Sequence, residues 1–480
     1  MKNFILVFFM FSSVLTSSQK KESEKIKLIP TINNYLLQTI KAHEIPGLAV
    51  GVIKYGKIIF EAYYGKETIE ENIPVSKNSL FRIYSTSKLI STVGIFQLIE
   101  KGKLSLEDNI SKYIDSLPKE WQQVKIKNLL THSSGIPDII RYNDISVMAS
   151  DGEKIKRLSK EKMVFETGDH FSYSQTNYWL LTMIIEKITG QTFEDYIFKN
   201  QFPDSNGTIL FSSNSAEKIP NRVQRNVYDL KNRRYENTYS VDDGYRAHSG
   251  NGAAITLQAF LDWSNRLDNN IFINSETKKI MWTPFDFTNK KDRFAYGWEI
   301  TKVNNHDSYG FSGGNVSAYR NFANHNLSII VLSNGYKYYP VQDEIINHIA
   351  GLVDKNLIDG YSLSNELIFS EFIKINNQNA EEKYKAIKNK NPHWNFERTL
   401  NSIGYTLLRS DRLNDAIEVF ELNVKENPSS ANVYDSRGEA YFDKKDYQAS
   451  KADYQKVVEL EPSNQNAKEM LLKIENILKK

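Results

Sequence analysis

Cysteine is absent from the 480-residue sequence. The chain therefore forms no disulfide, offers no thiolate metal ligand and has no cysteine nucleophile. Its eight histidines are scattered, and no two of them have the H-x-x-x-H spacing of a zinc-binding helix. We expect neither a metal nor a cofactor.

The sequence also lacks a strong excess of charge. It has 61 basic and 58 acidic residues, which leave a formal net charge of +3. Nucleic-acid-binding proteins usually present a concentrated basic face, so we expect no nucleic-acid partner. With 40% apolar residues, the chain is long enough for two or three ordinary domains and a large core.

The apolar run at the N-terminus, from Phe4 to Phe11 in MKNFILVFFMFSSVLTSSQKK, is short. It follows a basic start and precedes small polar residues, a pattern typical of a secretory signal peptide and too short for a membrane span. We expect residues 1–18 to be removed. The mature chain would have no transmembrane span and would be exported, to the periplasm or outside the cell.

Two segments near the C-terminus repeat with a period of 34 residues. NSIGYTLLRSDRLNDAIEVFELNVKENP ends at Pro428, and YDSRGEAYFDKKDYQASKADYQKVVELEP ends at Pro462. Gly404 and Gly438 are equivalent, and a glycine there permits close helix packing. The pattern resembles the tetratricopeptide repeat. The resemblance implies an all-α repeat domain over residues 365–480, which would bind a protein or peptide partner or pack against another chain.

The preceding block, residues 22–360, has predicted strands at both ends. GLAVGVIK and KIIFEAYYG predict a hairpin, and YGFSGGNVSAYRNF and LSIIVLSNG predict later strands, followed by an amphipathic helix in PVQDEIINHIAGLVDK. Helical patterns fill the middle. We therefore predict an α+β fold in which one mixed sheet is closed by the two ends of the block and carries a helical insertion.

A candidate nucleophile lies in FRIYSTSKL, residues 81–89. Ser85 stands where an apolar stretch turns into a long helical pattern, although serine is also a common helix cap. Lys88 lies one turn further on the same face, where we expect it to reach the Ser85 hydroxyl. The helix N-terminus would favour a developing oxyanion, and burial could lower the lysine pKa enough for it to act as a base. Six other S-x-x-K matches lack this long apolar helix.

FRIYSTSKLISTVGIFQLIEKGKLSLEDNISKYI and IKNLLTHSSGIPD are similar to the serine β-lactamase and penicillin-binding protein superfamily, on its class C-like side. FSYSQTNYWLLTMIIEKITGQTFEDYI, SGNGAAITLQAFLDW and YGFSGGNVSAYRNF continue the likeness in the same order. The resemblance implies a β-lactamase/transpeptidase-like fold. It also implies a cofactor-free serine hydrolase that forms an acyl-enzyme with a small-molecule or peptide substrate, as D-Ala carboxypeptidases and esterases do.

The resemblance assigns roles to individual residues. Ser85 would be the acylated nucleophile and Lys88 its proton partner. Tyr173 would be the phenol or phenolate that passes the proton to the leaving group. The backbone N–H groups of Ser85 and Gly314 would form the oxyanion hole. We expect His132, in LLTHSSGI, to be structural.

Two positions depart from the family pattern. Gln175 replaces the asparagine of Tyr-x-Asn, and Phe311-Ser312-Gly313 replaces Lys-Thr-Gly or His-x-Gly. We predict that Gln175, Phe311, Ser312 and Gly313 contact the substrate. Because Phe311 removes a cation, carboxylate-bearing substrates are disfavoured, and the pattern favours an esterase or amide hydrolase of uncharged substrates.

Two other interpretations remain open. GFSGG, residues 310–314, fits the G-x-S-x-G nucleophile elbow with Ser312 attacking, but that motif needs a helix directly after the serine. The chain could also be a catalytically silent protein that binds cell-wall fragments or peptides and recruits a partner through its repeats. The presence of Ser85, Lys88 and Tyr173 together favours the active hydrolase.

Overall fold

The computed structural model describes residues 27–229, 232–237, 243–373 and 379–479. The predicted signal peptide lies outside these residues. The strands are β1 Gly47–Lys54, β2 Lys57–Thr68, β3 Ile73–Pro74, β4 Phe81–Arg82, β5 Ile209–Phe211, β6 Asn226–Asp229, β7 Arg234–Asn237, β8 Ala253–Ile255, β9 Glu299–Val303, β10 His306–Gly313, β11 Ser317–Phe322 and β12 Leu327–Ser333.

The helices account for most of the remaining chain. They are α1 over residues 27–43, α2 Ser87–Glu100, α3 Ile126–Leu130, α4 Asp151–Leu158, α5 Gln175–Thr189, α6 Phe193–Gln201, α7 His248–Asn251, α8 Leu257–Asp268, α9 Ser275–Met281, α10 Gln342–Val353, α11 Gly360–Ile373, α12 Ala380–Lys390, α13 Phe396–Arg409, α14 Leu413–Glu426, α15 Ala431–Asp443, α16 Tyr447–Leu460 and α17 Gln465–Leu478. In the part of the chain that the structure describes, every helix is too short or too polar to cross a bilayer.

A seven-stranded sheet organises the N-terminal block, in the order β3-β2-β1-β12-β11-β10-β9. Its neighbouring strands pair antiparallel. β1 lies beside β12, with Val50 opposite Val331, so strands from the two ends of the block close the sheet as the sequence predicts. The α+β fold with a helical insertion is confirmed.

The two faces of this sheet carry separate cores, because successive side chains along a strand point in opposite directions. Ala49 and Leu332 face a core that includes the buried α2 and α5 side chains. Val50 and Val331 face the other core, against α1 and α10. Both faces are covered by helices, which explains why β1 and β12 are almost wholly apolar and buried.

In the C-terminal block α13 packs on α14 and α15 packs on α16, and α17 follows against α16. A side chain at Gly404 would overlap the Phe420 ring of the partner helix, which explains the glycine. Gly438 occupies the equivalent position one repeat later, where an added Cβ would lie 3.3 Å from the Tyr454 ring. The predicted helical repeats are confirmed.

The apolar core does not stop between the two blocks. The buried side chains Ile368 and Phe369 of α11 belong to the same apolar cluster as α1, α10 and the start of the repeats. His43 at the end of α1 stacks on Phe369, with ring centroids 4.7 Å apart. The repeats are therefore anchored to the face of the sheet opposite α2.

Candidate active site

Ser85 lies in a single 3₁₀ turn, Tyr84–Thr86, that leads directly into α2. The turn is positioned by β4, whose Phe81 and Arg82 pair with Ile255 and Ala254 of β8. Tyr84 has a φ of +46°, an unusual conformation for a bulky residue. Such strain persists only where the surroundings impose it, and it is typical of functional sites.

The Tyr84 ring is held by contacts on several sides. The Arg82 and Arg225 guanidinium carbons lie 4.7 and 5.0 Å from its centroid. An added Cβ at Gly314 would lie only 2.5 Å from the ring, so only a glycine fits beneath it. Gly314 therefore lies directly against Tyr84, the residue that precedes Ser85.

The end of β10 also packs directly on the Ser85 turn. A Cβ at Gly313 would overlap the Ile83 carbonyl oxygen and lie 2.8 Å from the Thr86 nitrogen. The Ser317 hydroxyl donates to the Ile83 carbonyl across 2.8 Å and reinforces this contact. Gly313 and Gly314 therefore lie against the turn that carries Ser85, as a two-amide oxyanion hole would require.

Lys88 is completely buried on the first turn of α2. Its Nζ donates to the Gln175 Oε1 across 3.0 Å and to the Gly250 carbonyl across 2.8 Å. Within the described residues it makes no hydrogen bond to Ser85, so the expected direct Lys88–Ser85 contact is replaced by these two. The extra methylene of Gln175 still delivers an amide oxygen to the lysine.

Burial lowers the pKa of Lys88 from 10.5 to about 7, although the negative charges of Asp138 and Glu299 oppose the shift. A substantial fraction of the amine is therefore neutral near pH 7. A neutral amine has two N–H bonds, which match the two acceptors at Gln175 and Gly250. Its lone pair remains available to take a proton.

Tyr173 completes the group around the nucleophile. Its hydroxyl donates to the Ser85 Oγ across 2.7 Å, and its ring centroid lies 4.7 Å from the Lys88 Nζ. Burial is the main cause that raises the pKa of Tyr173 above its usual value of 10.0. Of the two forms left open by the sequence, the structure therefore favours the neutral phenol.

Tyr173 and Gln175 are positioned by the start of α5, which has no cap from its own Ser174 side chain. Asp138 takes that role from a distant loop, since its Oδ1 accepts from the Gln175 N–H across 3.1 Å. The buried His132 accepts from the Ser174 N–H across 3.1 Å, in agreement with its expected structural role. Sequence reasoning gave no role to Asp138 or to the Gly250 carbonyl, although both segments were recognised as family-like.

Phe311 and Ser312 point to opposite faces of β10. The buried Phe311 ring faces Tyr173, with centroids 6.2 Å apart. Ser312 donates to Asp343 across 2.8 Å and accepts from Arg320 across 2.7 Å. β10 continues through a turn into β11 rather than into a helix, so the nucleophile-elbow interpretation of Ser312 is wrong.

This arrangement can support acyl transfer. Ser85 is partly exposed, a neutral phenol contacts its oxygen, and a lysine with a pKa of about 7 lies behind the phenol ring. Over the described ranges, no group of three histidine or carboxylate side chains is placed to hold a metal ion. Ser85, Tyr173 and Lys88 together match the arrangement that acyl transfer to a serine requires.

Comparison with known families agrees with this class. Residues 32–351 match the Beta-lactamase family model, and residues 431–464 match the Tetratricopeptide repeat model. The chain therefore belongs to the β-lactamase family, whose members include penicillin-binding proteins and other serine hydrolases, and it carries tetratricopeptide repeats at its C-terminus.

Individual relatives cover most of the N-terminal block. Penicillin-binding protein 4* of Bacillus subtilis (strain 168) is 28% identical over 324 residues, 62% of this chain and 70% of that protein. The octameric penicillin-binding protein homologue from Pyrococcus abyssi has a TM-score of 0.60 at 21% identity, over 71% of this chain and 81% of that one. EstCE1, a hydrolase with promiscuous acyltransferase activity, has a TM-score of 0.57 at 14% identity, over 70% of this chain and 99% of that one. These two structures share the fold.

Proposed function

We propose that this protein is a serine hydrolase that forms an acyl-enzyme on Ser85 and prefers uncharged esters or amides to carboxylate-bearing substrates. The observation that carries the proposal is the 2.7 Å hydrogen bond from Tyr173 to Ser85, beside a buried lysine whose pKa is about 7. A silent binding protein would have no need of this pKa or of the strained Tyr84 turn.

In the proposed acylation step, the Ser85 oxygen attacks the substrate carbonyl while its proton passes to the neutral Lys88 amine, through a hydrogen bond that forms in the substrate complex. The backbone N–H groups of Ser85 and Gly314 stabilise the oxyanion. Tyr173 then donates its phenolic proton to the departing alcohol or amine and regains a proton from Lys88. Water releases the acyl group in a second step through the same groups.

The substrate preference follows from Phe311. The ring occupies the place of a cation, and its centroid lies 6.0 Å from the Lys88 Nζ. A hydrocarbon ring contributes no charge-assisted hydrogen bond to a carboxylate, but it offers apolar contact to an uncharged group. The predicted contacts of Gln175 and Gly313 with the substrate are part of this proposal.

Two further proposals concern the cellular setting. The basic start and short apolar run at the N-terminus support export to the periplasm or outside the cell. The tetratricopeptide repeats support binding of a protein or peptide partner.

The proposal is tested by intact-protein mass spectrometry after treatment with a fluorophosphonate and, separately, with a penicillin. The fluorophosphonate adduct should map to the peptide that contains Ser85 and disappear in Ser85→Ala. Ser275→Ala is the matched control, because Ser275 is an exposed S-x-x-K serine at the start of α9. An unlabelled wild-type protein, or an adduct on another serine, would overturn the proposal.

A further inference from the structure

Four polar side chains form a connected cluster at the end of β10: Glu299, Ser312, Arg320 and Asp343, here called the edge cluster. Arg320 Nη2 donates to the Glu299 Oε2 across 2.8 Å and contacts the Asp343 Oδ1 at 2.9 Å. The same nitrogen donates to the Ser312 hydroxyl, which in turn donates to Asp343. These residues come from β9, β10, β11 and α10, so the fold gathers them from four elements.

The edge cluster lies beside the nucleophile. Pairing of β9 with β10 ends where Glu299 faces Gly310, and beyond that point the Glu299 carboxylate accepts a hydrogen bond from the Ser312 backbone N–H. Gly313 packs on the Ser85 turn. The negative charge of Glu299 also raises the pKa of both Lys88 and Tyr173.

Position along β10 distinguishes the two sides of a bound substrate. Gly314 packs against the Ser85 turn and would hold the oxyanion. Tyr173, which would protonate the leaving group, faces Phe311, three residues before Gly314 in the chain. Along the chain, the direction from Gly314 to Ser312 is therefore the direction from the substrate carbonyl to the substrate's leaving group. The edge cluster lies on the leaving-group side.

The charge of the edge cluster is unbalanced. Two carboxylates share one guanidinium, so the cluster carries one net negative charge when both acids are ionised. The Arg320 side chain is 5% exposed, whereas the Asp343 side chain is 45% exposed. The cation is thus enclosed, and Asp343 is the more exposed of the two carboxylates, since the Glu299 side chain is 31% exposed.

We propose that Asp343 recognises a positive charge on the leaving group, so that the preferred substrates are esters or amides of cationic alcohols or amines. The proposal rests on the acyl-enzyme of the proposed function and extends its substrate preference: uncharged substrates are still preferred to carboxylate-bearing ones, and substrates with a cationic leaving group are preferred to both. Asp343 would repel a carboxylate on the leaving group, because the two charges have the same sign. It would attract an ammonium group, because the Asp343 carboxylate is an opposite charge that is partly removed from water. Ser312 orients the carboxylate through its hydrogen bond.

Three butyrate esters with matched shapes test this inference: butyrylcholine, its neutral isostere 3,3-dimethylbutyl butyrate, and the anionic 3-(butyryloxy)propionate. Hydrolysis of all three is followed in a pH-stat at pH 7.5, and the values of kcat/KM are compared. We expect kcat/KM to be highest for the cationic ester, lower for the neutral ester and lowest for the anionic ester. Asp343→Asn should reduce the cationic-to-neutral ratio by roughly tenfold, the effect of about 1.4 kcal/mol of lost transition-state interaction. High salt should reduce the same ratio.

Asp307→Asn is the matched control. Asp307 lies on β10, as Ser312 does, but at the other end of the strand, where it pairs with Arg293, so the ratio should not change. A wild-type ratio at or below one, or a ratio that Asp343→Asn leaves unchanged, would overturn the inference while Ser85 labelling still supported the proposed function. If the wild-type protein neither hydrolysed these esters nor was labelled on Ser85, the proposed function would be overturned, and the inference with it.

Discussion

The phenol of Tyr173 and the hydroxyl oxygen of Ser85 are joined by a 2.7 Å hydrogen bond, although 88 residues separate them in the chain. The contact depends on two helix starts. Ser85 enters α2 from β4, and Tyr173 stands just before α5, whose first N–H group is held by Asp138. A change at either start would therefore alter the nucleophile as well as the local helix.

Replacement of Tyr173 by phenylalanine removes this hydrogen bond and keeps the ring that packs on His132 and Phe311. We expect kcat/KM for ester hydrolysis to fall roughly 100- to 10,000-fold, the usual contribution of a positioned proton donor. Tyr178→Phe is the control, because Tyr178 also lies beside Lys88 but its hydroxyl is hydrogen-bonded to Thr92 and not to Ser85. The role of Tyr173 would be contradicted if the two variants lost similar activity.

The lowered pKa of Lys88 predicts how the rate depends on pH. Below about pH 7 the amine is protonated and cannot accept the Ser85 proton, so kcat/KM should fall as the pH decreases through about 7. Because the Asp138 charge raises the pKa of Lys88, Asp138→Asn should move this fall to lower pH. Initial rates from pH 5 to 9 measure both profiles. A flat profile, or a fall centred near the ordinary lysine value, would exclude Lys88 as the base.

Phe311 should decide between neutral and carboxylate-bearing substrates. A cation at this position would contribute roughly 1.5–3 kcal/mol to carboxylate binding, which corresponds to about ten- to a hundredfold in rate. We expect the wild type to hydrolyse short-chain nitrophenyl esters with a higher kcat/KM than nitrocefin. Phe311→His should raise the nitrocefin-to-ester ratio, and Phe311→Leu, which adds no charge, should not. A wild type that prefers nitrocefin would refute this assignment.

Sequence alone predicted the elements that depend on local pattern. Ser85 with Lys88 was recognisable because S-x-x-K precedes a long apolar helix, and Tyr173 because its segment resembles the family. The glycine pairs of the repeats also show directly in the spacing, since the small residue is needed where the helices cross. In each case the residues that determine the feature lie close together in the chain.

The parts that were missed depend on contacts between distant segments. Lys88 was expected to reach Ser85 directly, but the fold supplies a Gly250 carbonyl that competes for its N–H groups. Ser312 reads as a substrate contact, yet Asp343, 31 residues later on α10, accepts its hydrogen bond. Arg320 on the neighbouring strand β11 carries a positive charge, but Glu299 and Asp343 already pair with it. No local pattern reports such pairings.

The last prediction concerns Glu344 on α10, where the N-terminal block meets α11. Asn365 and the hydroxyls of Tyr339 and Tyr361 donate to its carboxylate, but removal from water outweighs them and raises its pKa from 4.5 to about 7. The folded state therefore binds a proton between pH 4.5 and 7 that the unfolded chain releases.

Folding stability should consequently decrease as the pH rises through this range, by at most about 3 kcal/mol for this group. The side chain introduced by Glu344→Gln cannot ionise. The free energy of unfolding of this variant, relative to that of the wild type, should therefore be higher at pH 8 than at pH 5. Urea unfolding at both pH values measures the difference, with Glu382→Gln on the exposed face of α12 as the control. If the stability difference between Glu344→Gln and the wild type is the same at both pH values, Glu344 is ionised in the folded protein throughout and the predicted linkage is absent.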